Sequence, residues 1–433
     1  MLEKPHFTLN GLLKGIQRKA IDILGLDLLS KQFATLALNY LFLMVYYTVE
    51  TVFVNTLIFR VTDGNMNSVV LYRVLSYLFS AIGMNLCSIF SGTITPTRAI
   101  KIGATCYLIL FVILFGWMEH LGTIMYYLGA LAGLSMGIYW SGHNVLMTLY
   151  TTPRNRAVGI GLTGIISGVM NLLLPLIVGF LLQQMPEMSG YRMVFGFVIA
   201  IILAQYYFMN QLTPVERKHR PRDYIFAVKI SVRKLSLRVM MLMECFRGIR
   251  DGAFSFFLNM VLFTLITDEA LVGFNSFLTG VFSILGAWAF GRIVTPDRRV
   301  KLAFLSIGTI FLFCATLILK LNVITVLLFG VVNTFLAYFF NNIGAHIYFE
   351  AIGQNQMVRQ VITELTGLRE ITLDIGRITG LFIVYFFPKT MDGYLYAMLT
   401  LTGLQFITVA LMWWAQRIFT RKERLKAKEV ATL

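Results

Sequence analysis

Charge is what this sequence has least of. Asp, Glu, Lys and Arg make up 13% of its 433 residues, against roughly 25% in soluble globular domains. That shortage excludes an ordinary water-soluble enzyme or binding domain. Cysteine is also sparse. Cys87, Cys106, Cys245 and Cys314 each lie in an apolar run, with no CxxC or other ligand spacing. They read as small core residues, and neither a disulfide framework nor a metal site is expected. GxGxxG, Walker, HExxH and nucleophile-elbow motifs are absent. No catalytic residue, cofactor or ATPase is therefore expected, and any work must draw on a gradient. Residues 1–33 lack the continuous apolar core and small-residue cleavage site of a secretory signal. They read either as an interfacial amphipathic helix or as a solvated tail.

Apolar residues are abundant. They make up 57% of the chain, mean hydropathy is +0.74, and runs near the roughly 20 residues that span a bilayer recur throughout. The fold class expected is an all-α membrane protein. Its spans are placed at 34–59, 68–91, 100–118, 122–149, 157–183, 190–212, 239–267, 270–291, 300–320, 322–350, 360–387 and 392–416. A net charge of +16 would suggest nucleic acid in a soluble protein. Here 28 of the 37 Lys and Arg fall in alternate inter-span segments and the two tails, while the opposite segments hold Arg60, Arg192, Lys320 and Lys389. Basic excess marks the cytoplasm. The expectation is a multi-pass protein of the cell membrane with both termini cytoplasmic, the bilayer rather than nucleic acid as its surroundings, and a monomeric state.

The chain repeats itself. VFVNTLIF (52–59) aligns with FFLNMVLF (256–263), SYLFS (76–80) with SFLTG (276–280), TPTRAIK (95–101) with TPDRRVK (295–301), and RAVGIGLTG (156–164) with RQVITELTG (359–367). Between the halves lies one long polar segment, 213–238, with eight basic residues and two prolines. This divides the chain into a tail (1–33), a first six-helix bundle (34–212), a basic linker (213–238), a second six-helix bundle (239–416) and a basic tail (417–433). Six spans per repeat give both halves one orientation, as in parallel repeats related by an axis along the membrane normal.

With these repeats in view, the chain resembles the major facilitator superfamily over essentially its whole length. Within it, the chain is similar to the YqgE-type transporter-like proteins of Gram-positive bacteria. The family's loop between helices two and three, G-x-x-x-D-R-x-G-R-K, survives as Gly92, Pro96, Thr97, Arg98 and Lys101, without the acid. The second copy, Gly291 to Lys301, carries Asp297 at a displaced position. The cytoplasmic gate this loop forms in the family is therefore in doubt. Leu174-Pro175 followed by Gly179 is a degenerate form of the family's antiporter signature. The resemblance implies two pseudo-symmetric bundles, with spans one, four, seven and ten around a central cavity.

Charges inside spans cost roughly 2.5–3.5 kcal/mol each at mid-helix. The seventh span carries Glu244, Arg247, Arg250 and Asp251, and the eleventh carries Glu364, Arg369, Glu370, Asp374 and Arg377. Five acids face four bases, so one acid lacks a full partner, which suits proton uptake and release. Asp374 or Glu370 is the candidate coupling group, with Asp251 beside them; a purely structural ion-pair network is the plain alternative, and Arg247 and Arg250 either pair within it or bind an anionic substrate. The repeat equivalents of Glu370 and Asp374 are Ser167 and Asn171, so the charge is confined to one half. Glu50, a lone acid in span one, is either a coupling group or the partner of Arg73. Asn55 and its repeat equivalent Asn259, together with Tyr139, Trp140, His143 and Asn144 of span four and Asn341 and His346 of span ten, suit a polar organic or sugar-like solute; ordinary packing between helices would explain them too.

The function expected is a secondary transporter moving a small organic solute by alternating access, coupled to protons. The alternatives are a flippase or exporter of a lipid-linked or amphiphilic substrate and, from a different class, a membrane-embedded transferase. The short outer loops leave little room for the last.

Overall fold

The computed structural model describes residues 29–431, apart from 64–65, 153–154, 186, 215–222, 255–257, 259–260, 262–268, 296, 354–357, 359 and 389. Asn259 lies outside the described residues. The chain forms rod after rod of helix because a bilayer offers no partner for backbone N–H and C=O groups, which must bond within their own segment. We number the spans α1 Lys31–Val61, α2 Met66–Ile89, α3 Pro96–Trp117, α4 Leu121–Tyr150, α5 Arg156–Gln183, α6 Glu187–Met209, α7 Leu235–Asp251, α8 Glu269–Ile293, α9 Arg299–Leu319, α10 Val323–Gly353, α11 Ile362–Tyr385 and α12 Met391–Ala431. The last is interrupted at Leu404. A short linker helix, Asp223–Arg233, precedes α7. Local chemistry sets several starts. Ser30, Thr95 and Thr390 cap α1, α3 and α12 by accepting from Phe33, Arg98 and Gly393 backbone N–H, and Pro96 sits at the first position of α3, where no N–H is needed.

Among the described residues, eight segments are long and apolar enough to cross a membrane, one of them, Pro96–Tyr150, holding both α3 and α4. Helices α7, α8 and α11 are not among them: α7 is described over only 17 residues, α8 offers the shorter apolar stretch Phe277–Ile293, and α11 spends its length on embedded charge. This is a multi-pass helical membrane protein. Its outward faces are apolar, as at Phe115 of α3, Phe197 of α6, Leu312 of α9 and Trp413 of α12.

Contacts within the first six helices recur among the last six. Helix α2 lies against α4 as α8 does against α10, α3 against α4 as α9 against α10, and α1 against α5 and α6 as α7 against α11 and α12. The two groups meet along α2–α11 and α5–α8, again a symmetric pair. The tightest crossings rest on small residues. A Cβ added to Gly133 or Gly137 of α4 would meet the Ser76 or Ser80 carbonyl oxygen of α2 at 2.1 or 2.0 Å. Gly248 of α7 and Gly252, which caps it, face Gly376 and Gly380 of α11, where an added Cβ on Gly376 would fall 2.0 Å from the Cys245 carbonyl oxygen. Small residues at four-residue spacing let backbones approach where lipid supplies no hydrophobic drive.

The start of α1 lies beside the ends of α4 and α6, Ser30 donating to the Tyr150 carbonyl at 3.4 Å and the Tyr150 hydroxyl to the Thr213 carbonyl at 2.8 Å, and we call this end the basic face. There the groups are joined by direct bonds. Asn85 Nδ2 donates to the Gly367 carbonyl at 3.0 Å, Ser88 to the Thr363 carbonyl at 3.0 Å, Ser91 to Glu364 at 2.9 Å, and Tyr338 of α10 to the Ile160 carbonyl of α5 at 2.9 Å. The linker helix joins this seam, its Tyr224 hydroxyl donating to Asn85 Oδ1 at 3.0 Å. Toward the opposite face, Phe180 of α5 and Phe382 and Tyr385 of α11 are exposed.

Candidate transport pathway

Two cavities lie along the central axis. The outer one, about 390 Å³, sits in the half away from the basic face and is walled by Tyr47, Glu50, Thr51 and Asn55 of α1, Arg73 and Tyr77 of α2, Asp251 of α7 and Arg377 of α11. Helix α1 widens into a π turn over Val49–Val54, around Glu50; such turns recur at functional positions. Glu50 is buried, 3.6 Å from Arg73 and accepting from the Tyr72 hydroxyl at 2.8 Å. Arg73 also donates to the Thr51 carbonyl at 3.0 Å, an oxygen that accepts from Asn55 Nδ2 as well. The Asn55 Oδ1 atom is buried without a hydrogen-bond partner among the described residues. The pairing of Glu50 with Arg73 is thus present, and it lines a cavity.

Arg377 holds three carboxylates. It bonds Asp251 Oδ2 through Nη2 and Nε at 3.0 Å, Glu370 Oε1 at 3.0 Å and Asp374 Oδ1 at 2.7 Å, the last two through one nitrogen, Nη1. Asp374 Oδ2 is buried with no hydrogen-bond partner among the described residues. The Tyr77 ring of α2 lies 5.3 Å from this guanidinium, so the cluster touches the seam between bundles. On α7 alone, spacing allows Asp251 to pair with Arg247. It bonds Arg377 instead, because the glycine crossing brings the backbones of α7 and α11 so close that a Cβ on Gly252 would sit 2.5 Å from the Arg377 carbonyl oxygen.

A second, oppositely charged cluster lies nearer the basic face. Glu244, fully buried, takes Arg247 at 2.7 Å on Oε2 and Arg369 at 3.1 Å on Oε1. Arg369 lies over the Tyr348 ring at 4.9 Å. Arg250 turns away from the axis into the second bundle, stacked 3.8 Å over Phe254 and bonded to Asn333. The five acids and four bases therefore do not share out evenly. Three acids gather on one arginine, one acid is shared by two, Glu364 sits in the seam, and Arg250 has no carboxylate within bonding distance among the described residues. At the matching α1–α5 crossing the contacts are neutral, Tyr40 to Ser167 at 2.6 Å and Thr48 to Asn171 at 3.0 Å.

The inner cavity, about 290 Å³, is lined by Tyr40, Trp140, His143, Asn144 and Ser167 of the first bundle and Tyr338, Asn342 and Arg369 of the second. Tyr40 stacks on His143 with ring centres 4.9 Å apart and meets Trp140 edge-on at 5.8 Å. Of the residues read from sequence, Trp140, His143 and Asn144 reach this cavity. Tyr139 points into the first bundle, donating to the Asn39 carbonyl and accepting from Gln205, both at 3.0 Å. His346 lies near Arg299 at 3.4 Å, and Asn341 lines neither cavity. Tyr40, Tyr77 and Tyr338 carry no signal in the sequence reading, and Arg369 enters it only as one of the four embedded bases, with no place at a cavity. The available signal for Arg369 was its place one residue before Glu370, which aims the two side chains toward different clusters. Among the described residues, no group of three or more His, Cys, Asp or Glu is arranged to hold a metal ion.

The same arrangement of helices occurs in solved transporters. The human organic anion transporter MFSD10 superimposes with a TM-score of 0.67 at 12% identity, over 88% of this chain and 100% of that one. A bacterial homologue of the iron transporter ferroportin, in its outward-facing state, gives 0.67 at 12% identity over 90% and 99%. The major facilitator superfamily transporter FucP, in its outward conformation, gives 0.64 at 12% identity over 88% and 98%. This chain has the major facilitator fold. No family model matches it. Among curated sequences it is 24% identical over 272 residues to the uncharacterized protein YqgE of Bacillus subtilis, covering 59% of each chain. It is 24% identical over 157 residues to an uncharacterized protein in the sodM 3′ region of Geobacillus stearothermophilus, covering 36% of this chain and 72% of that one. The match thus spans less than two thirds of YqgE, so the likeness anticipated from the loop and repeat residues is one of kinship and fold. In the facilitator fold the seams α2–α11 and α5–α8 separate the bundles, and both cavities lie between these seams.

Proposed function

We propose that this protein is a proton-coupled secondary transporter that moves a small organic solute by alternating access, its basic face in the cytoplasm of a cell membrane. The observation that carries the reading is the gathering of Asp251, Glu370 and Asp374 on the single guanidinium of Arg377, at the edge of the outer cavity. Three carboxylates on one cation leave two negative charges uncompensated in a buried place, and binding a proton there removes one of them. The orphan oxygen of Asp374 offers that proton a seat. Because the cluster touches Tyr77 across the α2–α11 seam, its charge state bears on whether the bundles part or close. The fold supports the transport reading, as do three neighbours of known structure, an organic anion transporter, a homologue of the iron transporter ferroportin and the transporter FucP. The excess of basic residues on one face supports the orientation.

A substrate carried in from the membrane would call for an apolar outer cavity, and the Glu50, Arg73, Asp251 and Arg377 walls weigh against it. The test is reconstitution into proteoliposomes with a solute panel under an imposed pH gradient. Asp374→Asn and Glu370→Gln are expected to abolish gradient-driven accumulation while leaving exchange of the same solute intact. Full coupling in both variants removes the proton assignment.

A further inference from the structure

The inner cavity carries one formal charge on its wall, Arg369, since the other charged residues nearby face elsewhere. That charge is not cancelled from within. Glu244 presents Oε2 to Arg247, which bonds it through both Nη2 at 2.7 Å and Nε at 2.8 Å, and only Oε1 is left for the Arg369 Nε at 3.1 Å. One carboxylate thus serves two guanidinium groups. The terminal nitrogens of Arg369 have no carboxylate or hydrogen-bond partner among the described residues, and its remaining support is the face of Tyr348. A buried cation left in surplus is costly unless something completes it. Around it stand flat rings, Tyr40, Trp140 and Tyr338, and short polar groups, Ser167, Asn144 and Asn342. Among the described residues no Asp or Glu lines this cavity, so no carboxylate there would pair with an amine, whereas the outer cavity is bordered by Glu50 and Asp251.

We propose that the inner cavity takes a small organic carboxylate, its oxyanion on the free terminal nitrogens of Arg369 and its body against the rings of Tyr40 and Trp140. The planar fork of a guanidinium suits a carboxylate in two-point contact. A volume of about 290 Å³ limits the ligand to a compact molecule, at the low end of the roughly 300–1,000 Å³ of small-molecule sites. This inference rests on the transport reading for its meaning but not for its test, since binding needs no gradient. It also explains an asymmetry of the repeat. The first bundle brings the rings of Tyr40 and Trp140 to the cavity, the second brings Tyr338 and the charge of Arg369, and a bound anion bridges the two.

The experiment is equilibrium binding to the full chain in lipid nanodiscs, with no gradient, using three probes of matched shape: phenylacetate, its neutral amide and phenethylamine. Phenylacetate is expected to bind at least about tenfold more tightly than either, as loss of a charge-assisted contact of about 1.5–3 kcal/mol corresponds to about 10- to 100-fold. Arg369→Gln should remove the preference and Arg369→Lys should retain part of it. Because Arg369→Gln also disturbs Glu244, Asn342→Asp is the second variant: it leaves the ion pairs intact, sets a carboxylate in the cavity, and should likewise abolish phenylacetate binding. Equal binding of the three probes, no binding of phenylacetate, or undiminished binding in both Arg369→Gln and Asn342→Asp overturns the inference. Arg369-dependent binding without passage of phenylacetate across proteoliposomes would instead defeat the transport reading and leave this one standing. Gradient-driven transport of neutral or cationic solutes, unaffected by Arg369→Gln, would do the reverse.

Discussion

Glu50 and Arg73 show how much one buried pair constrains a membrane helix. An isolated charge in a span costs roughly 2.5–3.5 kcal/mol, and here the 3.6 Å pair, the Tyr72 hydroxyl and the Thr51 carbonyl offset it. Removing one partner strands the other. Glu50→Gln is therefore expected to destabilise the protein by about 3 kcal/mol, seen as a lowered thermal midpoint in detergent, and the double change Glu50→Gln with Arg73→Gln should recover most of the loss. If Glu50→Gln leaves stability unchanged but uncouples transport, the acid is a proton carrier in its own right. This partnership was legible in the sequence, because two lone charges at similar depth in adjacent spans have few alternatives. The threefold grip of Arg377 was not. Spacing along α7 equally permits an Arg247–Asp251 pair, and only the crossing of α7 and α11 decides that Asp251 meets Arg377. Tyr139 shows the converse. Its neighbours Trp140 and His143 line the inner cavity, yet a helix turns by about 100° per residue, and a one-residue step sends Tyr139 to Asn39 and Gln205.

At the level of helices, the apolar runs and basic loops disclosed the spans because lipid enforces both. The glycines that set how helices cross were present in the sequence but silent without their partners. Gly376→Ala should destabilise by about 1–3 kcal/mol through overpacking, since its Cβ would meet the Cys245 carbonyl oxygen at 2.0 Å. Gly179→Ala, with no heavy atom within 4 Å, should be neutral or stabilising by up to about 1 kcal/mol through its helix preference. Thermal unfolding of the two variants side by side separates crossing glycines from passive ones; equal midpoints would reject the crossing as the source of strain. The linker helix acts on a different crossing. Partial burial raises the Tyr224 hydroxyl above the ordinary tyrosine value, so it remains a protonated donor to Asn85 throughout the physiological range. Losing one neutral hydrogen bond of about 1 kcal/mol shifts an equilibrium by about fivefold. Tyr224→Phe is accordingly expected to raise the rate at which a thiol reagent reaches Ser88→Cys from the basic face by about that factor; an unchanged rate would mean the linker helix does not hold the seam.

Across the whole molecule, the two bundles differ in what they bring to a common axis. The first supplies rings and hydroxyls, the second nearly all the charge, and the basic-face seam of Asn85, Ser88 and Ser91 against Thr363, Glu364 and Gly367 joins them. If solute passes because the bundles rock about that axis, the seam must open in every cycle. Ser88→Cys with Thr363→Cys, placed where the Ser88 hydroxyl now donates to the Thr363 carbonyl at 3.0 Å, tests this in a background where the four free cysteines are replaced. Oxidation should tie the seam shut, stop both exchange and gradient-driven uptake, and yet leave Asn55→Cys in the outer cavity open to a thiol reagent applied at the far face, with reduction restoring transport. The outer cavity must stay reachable because its walls, Glu50, Arg73, Asp251 and Arg377, lie beyond the tied residues along α1, α2, α7 and α11. Transport that continues with the seam covalently closed would mean that solute does not cross between the bundles at all.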